Sequence, residues 1–498
     1  MKKIISLVLI LTIMAGILIS CGGNPASGNT DKTNSNDKNN TSAAGDNQTV
    51  AENTTQGRIE PNLPEKDFEG YTFTFFAHRI DYAGDWIGDG DPRELVANEE
   101  NGEPINDAVY RRNRTIEDKY NITIKMVTNS NDSATLKKAV SSGDSTYDAA
   151  VIFNNLVPSV VTAGLLVNTD KLSYIDLSKP WWDPAVNAMS IDHKNYLMSG
   201  DLLILDNEAT NVLLFNKDLM ANLGIDLPYN LVKEGKWTMD KLNEMVKGAA
   251  KDLNGDGVMD STDQWGFGTF NDTLHAFLVS GGGALAVKDA NDIPYMDFTS
   301  QRNLLVLDKA MNLLYNTEYV VNQQSKNGFD THKAFQENRI VFLWGRMHLV
   351  EYYRAMESNF GIVPLPKYDE SQDKYYSLVN PYTGVLLGVP GSSSDLDRTS
   401  IILEALSAES KYTLQPAYYN VVLQGKYVRD DESAEMLDII FGSRVYDIGA
   451  VYSFGSVFND FNNLAATNDR NITSYYDKKS GAMQKAIDKV VTAFQSMS

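Results

Sequence analysis

The sequence predicts an α/β protein built on parallel sheet, with enough chain for more than one domain. Three observations lead there. A β-α-β-α-β order can be read between Tyr71 and Phe153, and such an order implies parallel strands with helices on the sheet faces. The chain has 498 residues, more than one core usually organises. Its composition is 43% hydrophobic and 22% charged, that of an ordinary globular protein.

The elements run in order along the chain. Tyr71 to Ala77 (YTFTFFA) is β-rich and partly alternating, a strand. Ile105, Val109, Ile116 and Tyr120 fall on one face at helical spacing. Asn121 to Val127 (NITIKMV) reads as a second strand, Leu136, Ala139 and Val140 as a short helix, and Ala149 to Phe153 as a buried third strand. Ligands of such sheets sit beyond the carboxyl ends of the strands, here His78-Arg79 and Asn154-Asn155. Residues 201–216 (DLLILDNEATNVLLFN) read as two apolar strands broken by Asp206 to Asn211. Thr238 is a good N-cap for a helix whose stripe is Leu242, Met245, Val246, Ala249, Ala250 and Leu253. Ile340 to Leu343, Gly361 to Pro366 and Tyr382 to Pro390 read as extended. The tail reads as helical, with Ile487, Val490, Val491 and Phe494 on one face, and no short-period repeat is visible.

The N-terminus has its own logic. Lys2 and Lys3 precede an uncharged, mostly apolar run over residues 4–19, and Leu18-Ile19-Ser20-Cys21 resembles the bacterial lipobox. The run is shorter than the roughly 20 residues of a membrane span. Residues 1–20 are therefore expected to be a signal peptide, with Cys21 carrying the lipid as the new N-terminus. Cys21 is the one cysteine, so no intrachain disulfide exists. Residues 21–66 are mainly small and polar and predict a disordered tether. The formal net charge of −21 disfavours nucleic acid and anionic headgroups as partners.

The sharpest local motif is Asp252 to Asp263 (DLNGDGVMDSTD), which has the spacing of a calcium loop. Asp252, Asn254, Asp256, Asp260 and Asp263 supply hard oxygens, the Val258 carbonyl another, and Gly257 stands at the sharp turn. Asp263 replaces the usual bidentate Glu, as in dockerin-type loops, and Gln264 to Phe267 does not read as a helix, so this is half of an EF-hand. A structural Ca²⁺ is expected; the alternative is a metal-free polar turn. Aromatics give a second signal: Trp86, Trp181, Trp182, Trp344, Tyr382 and Tyr418-Tyr419 fall near segment ends, several beside carboxylates. Sugars stack C–H faces on such rings, although any one ring taken alone is better explained by core or rim packing. No HExxH, GxSxG or P-loop is present, and Gly281-Gly282-Gly283 lacks a phosphate-loop context. No catalytic residues are expected.

Four stretches, in order, resemble the extracellular solute-binding proteins, family 1, the maltose-binding-protein-like group. They are Asn121 to Phe153, with Gly143-Asp144 and Tyr147-Asp148; Asn207 to Gly224 (NEATNVLLFNKDLMANLG); Lys236 to Asp252 (KWTMDKLNEMVKGAAKD); and Phe360 to Pro366 (FGIVPLP). The resemblance implies a two-lobed periplasmic-binding-protein-like (Venus flytrap) α/β fold, with hinge crossovers and a helical C-terminal region. Lobe one would be 67–206 with 370–415, and lobe two 207–369 with 416–498. The family's site positions carry over to His78 and Arg79, Asn154, Asn207 and Glu208, and Trp344 and Arg346. The family's Gly-Pro-Trp is here Trp344-Gly345-Arg346, which leaves the stacking register open. Trp86 and Trp182 join the expected ligand site on their residue type alone. The implied function is capture of a small ligand, an oligosaccharide by preference, for the permease of an ABC importer. The protein would be a monomer on the outer face of the bacterial cytoplasmic membrane. Rival readings are a glycan-holding lipoprotein without a transporter and a surface glycosidase.

Overall fold

The computed structural model describes residues 57–78, 92–129, 132–324, 329–423 and 431–497. Cys21, the expected signal peptide, most of the expected tether, Arg79 and Trp86 lie outside the described residues. The folded elements all belong to the unit Ile59–Ser498. Its strands among the described residues are β1 (Tyr71–His78), β2 (Ile122–Asn129), β3 (Ala149–Phe153), β4 (Asn211–Asn216), β5 (Trp265–Thr269), β6 (Ala286–Lys288), β7 (Pro294–Met296), β8 (Val320–Asn322), β9 (Ile340–Arg346), β10 (Phe360–Val363), β11 (Ser377–Leu378), β12 (Val385–Gly388) and β13 (Arg444–Val445).

The first sheet has the order β12-β3-β1-β2, with β1 parallel to β2 and β3, and β12 antiparallel to β3. Strands β1, β3 and β12 are buried on both faces, whereas the edge strand β2 alternates buried and exposed residues. Phe73, Phe75, Ala77, Val151 and Phe153 enter one hydrophobic cluster, while Phe76, Ala150 and Ile152 enter another. A sheet buried on both sides requires such continuous apolar strands. The helix Pro104–Tyr120 begins on Glu103, whose side chain accepts the Asn106 N–H, and stops at Asn121, which takes a left-handed φ of 50°. Ile105, Val109, Ile116 and Tyr120 are buried, as their spacing predicts.

The second sheet has the order β10-β4-β9-β5-β8. Strands β5, β8 and β9 are parallel, β4 pairs antiparallel with β9, and β10 pairs antiparallel with β4. Thr238 accepts the Lys241 N–H at 3.3 Å and caps the helix Met239–Ala249. Trp237, Leu242, Met245 and Val246 pack in the largest cluster, with strand residues such as Phe267 and Phe342. The chain passes between the two sheets at neighbouring places. Thr210 bridges Val379, and the Asn380 N–H donates to the Ala209 carbonyl at 3.0 Å. These crossings form the hinge of an α/β fold with a sheet in each lobe.

Two expectations are corrected. Residues 201–205 do not form a strand. They turn into a short helix, Leu205–Glu208, whose Asp206, Asn207 and Glu208 are all buried. A short apolar run reads alike as strand or as buried turn, and the polar groups here find distant partners. The helix from Met239 ends at Ala249, and Leu253 is 49% exposed, in the acidic loop. The last helix, Ile472–Ser496, serves both cores. Ile472 and Met483 enter the second-sheet cluster, whereas Ile487 and Phe494 pack with Phe76 and Ile152 of the first sheet. Among the described residues no helix is long and apolar enough to cross a membrane.

Candidate functional site

A cavity of about 530 Å³ opens where the carboxyl ends of β3, β5, β8 and β9 face the entry to β12. The first sheet contributes Phe153 and Asn155 from the end of β3, with Tyr382 and Thr383 leading into β12. The second sheet contributes Phe270, Asn271 and Asp272 beyond β5, Gln324 beyond β8, and Arg346 at the end of β9. Asn462, Asn463 and Ala466 close it from the helix Val457–Thr467. Parallel strands leave their carboxyl ends and the adjoining loops on one side, which is why these residues meet.

The walls combine rings, amides and one charge pair. Tyr382 is 39% exposed; its hydroxyl donates to Asn459 Oδ1 at 2.9 Å and its ring lies 5.0 Å from that of Phe458. Such a ring offers an accessible aromatic surface held at a fixed angle. The Asn271 N–H donates to Gln324 Oε1 at 2.7 Å, and Asn322 Nδ2 donates to Asn271 Oδ1 at 3.1 Å, so the amides are pre-oriented. The Asn462 Oδ1 is buried without a hydrogen bond. Arg346, buried at the end of β9, donates to Thr383 Oγ1 at 3.2 Å. Burial lowers its guanidinium from the ordinary arginine range, an effect that the Asp272 charge opposes. Burial raises the Asp272 carboxyl, and Arg346 counteracts part of that rise. The pair balances its own charge, so the cavity favours a ligand rich in hydroxyls over one with a strong charge of its own. Asp272 is the carboxylate among the described lining residues.

The expected site residues separate into groups. Arg346 lines the cavity. His78, at the end of β1, sets its ring 4.7 Å from Phe153, behind the lining. Trp344 is 1% exposed and stands 5.7 Å behind Phe270. Asn154, expected at the cleft surface, is fully buried; its Nδ2 donates to the Asn380 carbonyl at 3.4 Å, and Asn155 takes the surface position. That is the one-residue consequence of turning from strand into a helical turn at Asn154. Asn207 and Glu208 lie in the hinge helix. Asn207 bonds Gln415 at 3.1 Å and also Arg444, while Glu208 pairs with Arg93. Trp182 lines a different cavity, and its indole N–H donates to Glu404 at 2.8 Å. Asn271, Asp272, Gln324, Asn462 and Asn463 line the cavity but were not singled out by the sequence. A signal existed for Asn271 and Asp272, which stand just beyond the carboxyl end of β5 as Asn155 stands beyond that of β3.

The acidic loop folds around its own backbone. Asp252 accepts the N–H groups of Gly255 and Gly257 at 2.6 and 2.8 Å, and both glycines have positive φ, 76° and 79°. Asp263 accepts from Leu253 and Asp260 at 2.8 and 2.7 Å. Asn254, Asp256 and Asp260 each accept an N–H two residues on. Among the described residues no three acidic or histidine side chains converge on a metal-sized point. Asp252, Asn254, Asp256, Val258, Asp260 and Asp263 are the residues that would hold a cation here.

Residues 97–338 match the family model described as bacterial extracellular solute-binding protein. That is the family resembled by the four sequence stretches. A comparison with curated proteins gives no match. Among solved structures, UspC of M. tuberculosis superposes with a TM-score of 0.54 at 15% identity, covering 85% of this chain and 100% of that one. A sugar transporter of Rhizobium etli in an open conformation gives 0.54 at 12% identity, with 86% and 100% covered. The ABC substrate-binding protein of Listeria monocytogenes in complex with cycloalternan gives 0.51 at 14% identity, with 86% and 99% covered. At these identities the likeness shows a shared two-lobed fold.

Proposed function

Proceeding from the match of residues 97–338 to bacterial extracellular solute-binding proteins, and from the fold shared with ABC substrate-binding proteins, we propose that this protein is a lipid-anchored solute-binding protein. It captures an oligosaccharide or smaller sugar and delivers it to an ABC importer. The observation that supports this most is the cavity between the strand ends of two hinged sheets, whose rings, amides and self-balanced Asp272–Arg346 pair suit a neutral, hydroxyl-rich ligand. Phe153 and Asn155 come from the first sheet, and Phe270, Asp272 and Arg346 from the second. A ligand gripped from both sides favours the closed arrangement of the hinge over the open one, because only closure completes its contacts. The permease would then recognise the closed form. The similar Listeria protein was solved in complex with cycloalternan, which supports the ligand class.

Titration of a sugar panel by calorimetry tests this reading. Tyr382→Ala and Asn155→Ala are each expected to weaken binding by about tenfold or more, the effect of losing an aromatic anchor or a hydrogen-bonding partner. The sugar should be recovered intact. Hydrolysed sugar would favour a glycosidase, and no binding across the panel would overturn the proposal. The lipid anchor rests on the sequence around Cys21; Cys21→Ser should release the protein from membranes or leave its precursor uncleaved, and unchanged anchoring would refute it. A structural Ca²⁺ in the loop Asp252 to Asp263 belongs to the same reading, on the strength of its spacing and turn glycines.

A further inference from the structure

Two adjoining cavities of about 590 and 520 Å³ share Asp201, Phe441 and Arg444. Neither has a lining residue in common with the cleft. In the first sheet, Met198 pairs with Leu387 of β12, which places Gly200 and Asp201 beyond β12 at the sheet edge, whereas the cleft is lined by β3. Gly200 is required there, because a Cβ would overlap the Trp181 carbonyl oxygen. The opposite wall comes from the end of the helix Asp431–Gly442 and from β13.

The chemistry of this space is that of a site. Arg444 reaches Asp183 at 2.9 Å, Asp206 at 3.3 Å and Asn207, yet its Nε is buried without a hydrogen bond. The Asp201 Oδ2 is also buried without one, its nearest cation being Lys411 at 3.7 Å. Unpaired buried polar atoms are costly unless something fills the space beside them with partners. Asp183, Asp201 and Asp206 stand among Arg444, Lys411 and Lys374, so carboxylates and cations are interspersed and neither sign forms a patch. The rings of Trp182, Phe441 and Tyr419 add apolar faces. Apolar faces interspersed with donors and acceptors match an uncharged molecule whose C–H faces alternate with hydroxyls.

We propose that this cavity, apart from the cleft, is a second binding site for a neutral polyhydroxylated small molecule, a sugar or polyol. Its walls come from segments on either side of the buried hinge helix Leu205–Glu208, to which Arg444 is bonded.

A reporter at Gly442 tests the site. A Cβ at Gly442 meets nothing within 4 Å, and Cys21 is the only native cysteine. In a full-length Cys21→Ser, Gly442→Cys protein labelled with an environment-sensitive dye, titration with glucose, maltose and glycerol should give a saturable response with at least one of them. The midpoint of that response should survive Tyr382→Ala, which damages only the cleft. It should weaken by about tenfold or more in Phe441→Ala and in Asp201→Asn, two substitutions that spare the Arg444 ion pairs. A dye that responds to none of the three, or whose midpoint falls in step with the cleft variant, would overturn the proposal. The second outcome would mean that the dye merely reports closure, leaving the cleft reading intact.

Discussion

Glu404 accepts the indole N–H groups of both Trp181 and Trp182, at 3.1 and 2.8 Å. The adjacent tryptophans that the sequence offers as a sugar platform thus have their polar edges committed to a carboxylate far along the chain. Burial pushes Glu404 up to about 7 from an ordinary 4.5, with the indoles and the Asp176 N–H pulling the other way. Burial likewise raises Glu94 and Asp201 to about 7. Between their unfolded and folded pKa values these groups hold protons in the folded chain that the unfolded chain has lost. Stability should therefore fall as pH rises from about 4.5 to about 7. Urea melts across that window should show the decline, and Glu404→Gln, which keeps the shape but cannot ionise, should flatten part of it. Stability that rises through this window would contradict the assignment.

One strand and one helix show how the second sheet is built. Gly266 of β5 lies so close to the helix Met239–Ala249 that a Cβ would overlap the Val246 carbonyl. Gly266→Ala is expected to cost about 1–3 kcal/mol by forced overpacking, and Thr238→Ala about 1 kcal/mol by loss of the N-cap. Chemical denaturation measures both, and the glycine variant should be the worse. The helix and its cap were legible because both depend on neighbours in sequence. The closeness of Gly266 to Val246 was not, since it depends on how strand and helix pack. The acidic loop begins just beyond this helix. With Ca²⁺ about 100-fold above its dissociation constant, native-state binding would add about 2.7 kcal/mol, raising the melting temperature relative to EGTA. Asp256→Ala should remove the difference, and equal melting temperatures for metal-stripped protein with and without Ca²⁺ would rule the site out.

At the scale of the whole molecule, the hinge helix Leu205–Glu208 is gripped by two arginines. Arg444 bonds Asp206 and Asn207, while Arg93 joins Glu208 to Glu351 in the helix His348–Tyr352, just beyond β9 of the second sheet. Such a grip resists bending and sets the balance between hinge arrangements. Small-angle scattering should show a smaller radius of gyration when a bound sugar closes the cleft. In Arg93→Met the ligand-free radius should shift, because one restraint on the hinge is gone. Binding without any compaction would remove the hinge from the mechanism.

The sequence by itself determined the α/β class, the first three strands and the helix between β1 and β2, the cap at Thr238 and the family resemblance. Each is written in local periodicity or in short ordered motifs, which depend on neighbours along the chain. It also named Arg346, which the structure puts in the lining of the cavity. Only the tertiary structure decided that Asn155 rather than Asn154 faces the cavity, that Trp344 stands behind Phe270, and that Asn207 and Glu208 brace the hinge. These outcomes rest on contacts between residues far apart in sequence. A polar or aromatic side chain looks the same in the sequence whether it meets a ligand or a buried partner, and packing alone separates the two.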